Sequence, residues 1–385
     1  METPLRKLHE ASGATLSTYF GCLLPEQFTH FAEEYRAARE TVALLDANYR
    51  AFAWLSGPDR VRYLNAVVSN NIKDLAAGQG TRALLLNPQG HILAELECFA
   101  LPERLLLVLH ASERQRTFQT LDKYIIMDEA TLEDTTDQLG ALAVEGPQAC
   151  VLLRRVCGVA LEDLPELGHC EVRLGSVACR LIRRSECGHQ GEVPVIVQHP
   201  LEAAPSQGQV QYGQMGALLL VARESLPALW EQLRAVVTAQ GGLPVGYAAL
   251  NALRLESGIP WFGYDFDDRT IPHEAGLEAT HVSFSKGCYT GQEIVERVRS
   301  RGHVNRRRVG LQFTGQIPPS GAPLLVSGKE VGQVTSTAFS PALGRPIGMG
   351  YVRREHSAPG GSLEWSGGAA EVIELPLASV RRAEA

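Results

Sequence analysis

Residues 283–308, SFSKGCYTGQEIVERVRSRGHVNRRR, connect a region of mixed helices and strands to the strand-rich end of the chain. Within this stretch, residues 290–293 (TGQE) form a capping-box pattern, which predicts an N-cap at Thr290 and a short helix directly after it. Cys288 would then lie just before the helix, where unpaired backbone N–H groups and the nearby Lys286 favour the thiolate. The pattern therefore indicates a reactive cysteine, and the alternative is an ordinary cysteine in a turn.

The sequence pattern at the end of the chain differs from that of the part before it. Short strands punctuated by Gly and Pro are typical of a small antiparallel barrel or sandwich. Earlier in the chain, apolar residues within 25–45 recur at helical spacing, and residues 83–109 have the pattern of a β-hairpin or meander. Helices and strands alternate before about residue 305, where we place a domain boundary. We predict an N-terminal module of helices and strands over 1–140, a second such module with the cysteine motif over 141–304, and a β-barrel over 305–385.

The chain has 385 residues, a length typical of two or three packed domains. Its formal charge of −7 argues against a surface built as a whole to bind nucleic acid, and no apolar stretch approaches the ~18 residues of a membrane helix. The N-terminus lacks the apolar region of an export signal, so we expect a cytoplasmic protein without membrane contact. The eight cysteines are scattered without zinc-like spacing, so the sequence predicts neither disulfides nor a dedicated metal site.

Two acidic residues share one face of a predicted strand in residues 91–101, HILAELECFAL. The two-residue period of a strand places Glu95 and Glu97 on the same side, about 7 Å apart. A close carboxylate pair can have one raised pKa, which suits proton transfer, so Glu95 is a candidate catalytic residue. The alternative is a pair of acids on a wet sheet face.

A second candidate site lies in residues 249–268, ALNALRLESGIPWFGYDFDD. Arg254 and Glu256 flank a predicted helix end, and a run of aromatic residues begins at Trp261. An arginine close to aromatic rings suits a flat ligand that bears a carboxylate, and the alternative is a helix end packed on a core. The three acids that close the stretch, Asp265 among them, lack the spacing of a calcium loop, so we expect them on the surface.

Several stretches resemble known proteins. Residues 286–293, KGCYTGQE, resemble the signature of the YgfZ-type folate-binding proteins, which are linked to iron–sulfur cluster assembly or repair. Much of the remaining chain resembles the wider superfamily of glycine-cleavage T-proteins, the aminomethyltransferases. The stretches that carry this second resemblance are 8–14 (LHEASGA), 55–72 (LSGPDRVRYLNAVVSNNI), 84–96 (LLLNPQGHILAEL), 142–149 (LAVEGPQA), 252–265 (ALRLESGIPWFGYD) and 330–352 (EVGQVTSTAFSPALGRPIGMGYV).

The resemblance implies a three-module, aminomethyltransferase-like α+β fold around a central folate cavity, with a C-terminal antiparallel β-barrel and tetrahydrofolate as the cofactor. Glu192 and Arg254 match folate-contacting positions of T-proteins, and we add Tyr289 and Gln292 of the cysteine motif as candidate folate-binding residues. T-proteins carry an Asp-Asp pair where this chain has a single carboxylate, Glu95. Glu95 would therefore stand in for the missing aspartate.

Two functions follow from the resemblance. The main hypothesis is a cytoplasmic tetrahydrofolate-binding protein that acts in iron–sulfur cluster assembly or repair through Cys288. Lys286 would tune the thiol, and iron–sulfur assembly or client proteins would be the partners. The alternative is a folate-dependent aminomethyltransferase in which Glu95 acts and Cys288 is incidental.

Six arginines follow the cysteine motif in an otherwise acidic chain. They are Arg297, Arg299, Arg301, Arg306, Arg307 and Arg308. Such a cluster suits a polyanion, and the candidates are a folate polyglutamate tail, an RNA backbone for weak RNA contact, or an acidic protein. The alternative is a solvated linker whose arginines pair with neighbouring acids.

Overall fold

The structure is a computed structural model, and it describes residues 1–184 and 216–376. Its strands are β1 (Thr15–Tyr19), β2 (Cys22–Gln27), β3 (Ala43–Asp46), β4 (Arg50–Ser56), β5 (Gly80–Leu86), β6 (Ile92–Ala100), β7 (Leu105–His110), β8 (Thr131–Asp134), β9 (Leu139–Glu145), β10 (His169–Leu174), β11 (Val177–Arg184), β12 (Gly216–Ala222), β13 (Leu243–Pro244), β14 (Arg306–Phe313), β15 (Pro323–Val326), β16 (Lys329–Ser340), β17 (Arg345–Arg353), β18 (Ser362–Trp365) and β19 (Gly368–Ile373).

The helices are short and alternate with the strands. They are α1 (Arg6–Ala11), α2 (Phe31–Glu40), α3 (Arg60–Val67), α4 (Arg114–Tyr124), α5 (Ala149–Cys157), α6 (Leu226–Ala239), α7 (Tyr247–Glu256), α8 (Pro272–Ala275), α9 (Glu278–His281) and α10 (Gln292–Arg301). Short 3₁₀ turns lie at Ala111–Glu113, Thr136–Gln138, Leu161–Asp163, Arg223–Ser225 and Arg354–His356. No helix in these described parts of the chain is long and apolar enough to cross a membrane.

Two sheets stack face to face in the body of the molecule. The first has the strand order β5-β6-β7-β4-β8, and the second has the order β10-β11-β12-β9-β3-β13. Their facing sides share one apolar core, in which Phe52 and Phe99 of the first sheet meet Ile182 and Leu218 of the second. The outer face of the first sheet packs on α3 and α4, and the outer face of the second packs on α5 and α6. Each sheet is therefore covered on both faces, which explains its nearly continuous apolar strands.

The C-terminal strands close into an antiparallel barrel with the order β14-β17-β16-β15-β18-β19. Its interior is filled by apolar side chains, among them Leu311, Phe313, Leu324 and Trp365. This confirms the prediction of an α+β fold that ends in an antiparallel barrel. The barrel packs on α7 through β16, so the segment that carries Arg254 lies between the barrel and the two sheets.

Two local predictions need correction. The helical spacing over residues 25–45 corresponds to a helix only within α2, because β2 precedes it and β3 follows it. The helix of the cysteine motif begins at Gln292, and its N-cap is Gly291 in the left-handed conformation with φ 82° rather than Thr290. A Cβ at Gly291 would lie 2.6 Å from the carbonyl oxygen of Asn87, so only glycine fits this close turn.

Candidate functional site

Glu95 and Glu97 lie on one face of β6, as the strand period predicts. Their neighbours Ala94 and Leu96 are fully buried on the opposite face, in the core with α3 and α4. Phe99 shares the face of the two glutamates and packs in the core between the sheets. The alternation of apolar and acidic residues therefore directs both carboxylates toward the middle of the molecule.

The Glu95 carboxylate is paired with two histidines. His281 Nε2 lies 3.0 Å from Glu95 Oε1, and His110 Nε2 lies 3.9 Å from Glu95 Oε2. Burial raises the pKa of Glu95, but the hydrogen bond and charge of His281, aided by His110 and Arg82, outweigh burial and lower the pKa to about 2. Burial lowers the pKa of His110 to about 4, so its ring is neutral at pH 7. The site thus holds an ionised carboxylate at neutral pH.

Glu97 joins the two stacked sheets. Arg184 at the end of β11 donates a hydrogen bond to Glu97 Oε2, and Arg50 Nη1 on β4 lies 3.4 Å from the same oxygen. Burial raises the pKa of Glu97, but Arg184, Arg50 and Arg82 outweigh it and lower the pKa. The expectation that one carboxyl of the Glu95–Glu97 pair has a raised pKa is wrong, because each acid has its own basic partners.

Six rings pack together in a cluster that includes the ring of His110, and we call them the aromatic cage. They are Phe20, Tyr49, His110, Tyr247, Trp261 and Tyr264. The Phe20 ring is at the centre and stacks on Tyr49 with centroids 4.3 Å apart. The other four rings meet it edge-on with centroids 4.9 to 6.0 Å away. Because His110 contacts both Phe20 and Glu95, the aromatic surface directly adjoins the ionised carboxylate.

Arg254, a candidate folate-binding residue, is buried near the end of α7. Its guanidinium pairs with Asp265, donates to the Ile259 carbonyl oxygen at 3.1 Å and lies 4.3 Å from the centre of the Trp261 ring. Burial lowers the pKa of Arg254, and the Asp265 charge opposes this. Asp265 is only 1% exposed, so its expected place on the surface is wrong. The barrel covers it, since Thr335 Oγ1 donates to Asp265 Oδ1 at 2.6 Å.

Cys288 is exposed on the loop before α10. Among the cysteines in residues 1–184 and 216–376, it alone is exposed. The helix begins one residue later than predicted, which moves its N-terminus further from the thiol. The reactivity of Cys288 stays a prediction.

Lys286 interacts with a helix end. Its Nζ donates to the carbonyl oxygens of Asn65, Val68 and Asn70, the last two at 2.5 and 3.0 Å. Burial lowers the pKa of Lys286 to about 8, so the ammonium is still largely protonated at pH 7. The geometry shows a side chain that caps the C-terminal end of α3, where the helix dipole favours a cation.

The remaining candidate folate-binding residues are more scattered. Tyr289 packs in the same apolar cluster as Phe262 of the stretch after α7. Burial raises the pKa of Tyr289 to about 12, and among the described residues its buried hydroxyl has no hydrogen-bond partner. Gln292 is the first residue of α10 and is half-buried. Glu192 lies outside the described residues.

Several arginines of the cluster form ion pairs or hydrogen bonds within the chain. Arg306 pairs with Glu274 at 3.1 Å, and Arg308 donates to two backbone carbonyl oxygens at 2.8 and 3.0 Å. Arg297 and Arg299 each pair with an acidic residue on their own helix. The linker alternative therefore describes Arg297, Arg299 and Arg306, while contact with RNA stays a prediction.

Sequence reasoning missed three members of the site. His281 pairs with a carboxylate 186 residues earlier in the chain, and no local pattern reveals such a partner. His110 closes the apolar strand LLLVLH, and a histidine at that place is the signal that could have found it. Phe20 has φ 53° at the tip of the β1–β2 hairpin, and a phenylalanine before glycine in a tight turn was the signal there.

Comparison with known families accounts for both parts of this architecture. The family model for the GCVT N-terminal domain matches residues 5–194 and 211–286, and the model for the glycine cleavage T-protein C-terminal barrel domain matches residues 306–377. The chain therefore belongs to the glycine cleavage T-protein family. The cysteine motif beyond Lys286 lies between the two matched regions.

Individual relatives agree with this assignment. Proteins named aminomethyltransferase from Halothermothrix orenii and Prochlorococcus marinus (strain MIT 9303) are 29% and 30% identical, covering 94% and 91% of this chain and 94% and 89% of their own lengths. The crystal structure of the glycine cleavage system aminomethyltransferase T from Bartonella henselae matches with a TM-score of 0.81 and 25% identity over 98% of both chains. These matches support the T-protein superfamily and do not single out its YgfZ-type members.

Proposed function

We propose that this chain is a tetrahydrofolate-dependent aminomethyltransferase with Glu95 at its reaction centre. The observation that carries the proposal is the Glu95–His281 pair, an ionised carboxylate held 3.0 Å from a histidine in the middle of a fold whose relatives are named aminomethyltransferase. Our main hypothesis from the sequence had placed the iron–sulfur role first, and the relatives favour the alternative.

An ionised Glu95 suits this reaction electrostatically. When the methylene carbon is transferred from the donor atom to the acceptor atom, positive charge develops on the nitrogen attached to this carbon. A fixed carboxylate in a partly dry site stabilises such charge and needs little reorganisation. With a pKa of about 2, Glu95 serves better as this stabilising anion than as a proton donor.

The residues around Glu95 also fit a folate. The aromatic cage offers ring faces and edges for a pteridine, and stacked or edge-to-face contacts stabilise such pairs. His110 Nδ1 is buried and, among the described residues, has no hydrogen-bond partner, so a polar ligand atom would satisfy it. Arg254 and Glu192 remain proposed folate contacts on the strength of the resemblance, and Tyr289 and Gln292 of the cysteine motif remain candidate folate contacts.

The test is a one-carbon transfer assay with tetrahydrofolate and an aminomethylated carrier protein, with formation of 5,10-methylene-tetrahydrofolate as the readout. We expect Glu95→Gln to lower kcat about 100-fold or more, because it removes the anion and keeps the shape. Cys288→Ala is the matched control and should retain wild-type activity. Full activity of a folded Glu95→Gln variant, or no transfer by the wild type, would contradict the proposal.

An iron–sulfur role through Cys288 is the second candidate. It is favoured by the exposed thiol, which lies in a segment outside both matched domains. The Cys288→Ala variant of the same series separates the two functions. Loss of iron–sulfur enzyme activity in a deletion strain that carries this variant, with transfer intact, supports the second candidate, and full rescue removes the thiol from the mechanism.

A further inference from the structure

Phe20 occupies the centre of the aromatic cage in the manner of a bound ring. The side chain comes from the turn between β1 and β2, and the residue is only 5% exposed. Tyr49 stacks on one face at 4.3 Å, while Trp261 and His110 meet the ring edge-on at 5.0 and 4.9 Å. A stack on one side with edges around it is the arrangement that holds a flat aromatic group.

The backbone adopts a strained conformation where it places this ring. Phe20 and Gly21 have φ values of 53° and 71°, both in the left-handed region that two-residue hairpin turns require. Asparagine followed by glycine is favoured there, whereas a bulky side chain is strained. A residue that breaks the local rule and is then buried among aromatic rings indicates a role at a functional site.

The hairpin tip is attached so that it could move by itself. Strands β1 and β2 form a two-stranded sheet, and β1 is half to fully exposed along its length. Strand β2 is anchored by the fully buried Cys22 and Leu24. At the tip, Phe20 N–H donates a hydrogen bond to Tyr264 Oη at 3.3 Å, and the Gly21 carbonyl oxygen accepts one from the N-terminal amine of Met1 at 2.8 Å. Withdrawal of the tip therefore breaks the cage contacts and these two hydrogen bonds while β2 stays in place.

We propose that Phe20 is a specificity-determining residue of the folate site, which fills the place of the pteridine ring in the ligand-free protein and must withdraw for folate to bind. This inference rests on the proposed folate function and adds a competition between a side chain and the substrate. The location follows from His110, because a ring in the position of Phe20 would contact the His110 ring, whose Nε2 lies 3.9 Å from Glu95 Oε2.

The test compares tetrahydrofolate affinity by anaerobic calorimetry in the wild type, Phe20→Ala and Phe20→Gly. If the state with Phe20 in the cage dominates, removal of the ring should tighten tetrahydrofolate binding about tenfold or more. The reason is that the apparent affinity of the wild type is lowered in proportion to the small fraction of protein in the binding-competent state. Phe28→Ala is the matched control, since Phe28 stacks on Trp230 elsewhere, and it should bind as the wild type does. p-Aminobenzoylglutamate, which lacks the pteridine, should show no gain with either Phe20 variant.

A measurement on the wild type removes dependence on the variants. Hydrogen exchange should show faster exchange of the amides of residues 19–22 when tetrahydrofolate is bound, the opposite of the protection that ligands usually confer. Suppose that the wild type binds tetrahydrofolate and that the folded Phe20 variants bind it with equal or weaker affinity, or that the ligand protects the tip from exchange. Either result overturns this inference and leaves the proposed function standing. Absence of tetrahydrofolate binding in every variant overturns both. Tighter binding without one-carbon transfer supports the inference and contradicts only the proposed function.

Discussion

At the residue scale, His110 gives the molecule a defined response to acid. Burial lowers its pKa to about 4, whereas an unfolded histidine titrates near 6.5. Between these values the unfolded chain binds a proton that the folded chain does not, so stability falls as the pH drops from about 6.5 to 4. The loss through this one group approaches about 3 kcal/mol at the low end. Glu95, with its depressed pKa, contributes a loss only below about pH 4.5.

Urea unfolding at pH 7, 5.5 and 4.5 tests this prediction. His110→Gln should show a smaller fall in unfolding free energy between pH 7 and 4.5 than the wild type, and part of the fall should remain because burial also lowers the pKa of His169 to about 4. His303→Gln changes an exposed histidine and should retain the wild-type slope. Parallel slopes for the wild type and His110→Gln would assign the acid response to other groups.

The same residues show what local pattern can and cannot predict. Strand alternation correctly placed Glu95 and Glu97 on one face, because the two-residue period is a backbone property. The direction of their pKa shifts depends on His281 and Arg184, which arrive from α9 and β11. The burial of Asp265 could not be predicted from its neighbours in sequence either, because the barrel residue that covers it lies 70 residues further along the chain.

At the element scale, Lys286 matters as the cap of α3. Replacement by methionine keeps most of the apolar stem and leaves three carbonyl oxygens without their donor. Hydrogen bonds to charged groups make a net contribution of about 1.5 to 3 kcal/mol, and water reaches part of this half-buried site in the variant, so we expect a loss of about 2 kcal/mol in unfolding free energy. Lys73→Met, at an exposed lysine, is the control and should be nearly neutral.

The same variant tests whether Lys286 also activates the thiol. If the lysine only caps α3, the rate of Cys288 alkylation by iodoacetamide stays at its wild-type value in Lys286→Met while thermal stability drops. A large fall in alkylation rate with unchanged stability would instead support the tuning role expected from the sequence.

Element boundaries were predicted well where backbone chemistry sets them and poorly where tertiary contacts do. The capping-box pattern located α10 to within one residue, and the error came from Asn87, whose carbonyl demands a glycine at the N-cap. The apolar stripe over 25–45 continued past α2 because Val42 and Leu45 are buried in and beside β3 by neighbouring elements. Periodicity reports which residues are buried, and the packing partner decides the element.

At the scale of the whole molecule, the texture of short strands correctly predicted a barrel, since closure removes exposed strand edges. The stacking of the two sheets could not be predicted from the sequence pattern alone. Strand β3 lies before the first sheet in sequence and yet pairs with β9 in the second. Only contacts between distant segments determine such an order, and the resemblance to T-proteins predicted the α+β fold and the barrel but not this strand order.

The buried Arg254–Asp265 pair connects α7 to the barrel through Thr335. Asp265→Asn leaves the Arg254 charge buried without its counter-ion, so we expect a loss of about 3 to 5 kcal/mol in unfolding free energy. Thr335→Val removes only the hydrogen bond from the barrel and should cost about 1 to 2 kcal/mol. The double variant Arg254→Met with Asp265→Leu removes both charges and should be more stable than Asp265→Asn alone.

Urea unfolding of this series, with tetrahydrofolate titration of each folded variant, separates a structural role of Arg254 from contact with folate. A double variant that is less stable than Asp265→Asn would show that the pair contributes more than its desolvation costs. If Arg254 also holds folate, as the resemblance implies, the stable double variant loses tetrahydrofolate affinity while Thr335→Val keeps it. Equal affinity in both would confine Arg254 to attaching the barrel, and the ligand would then depend on the aromatic cage and the Glu95 carboxylate.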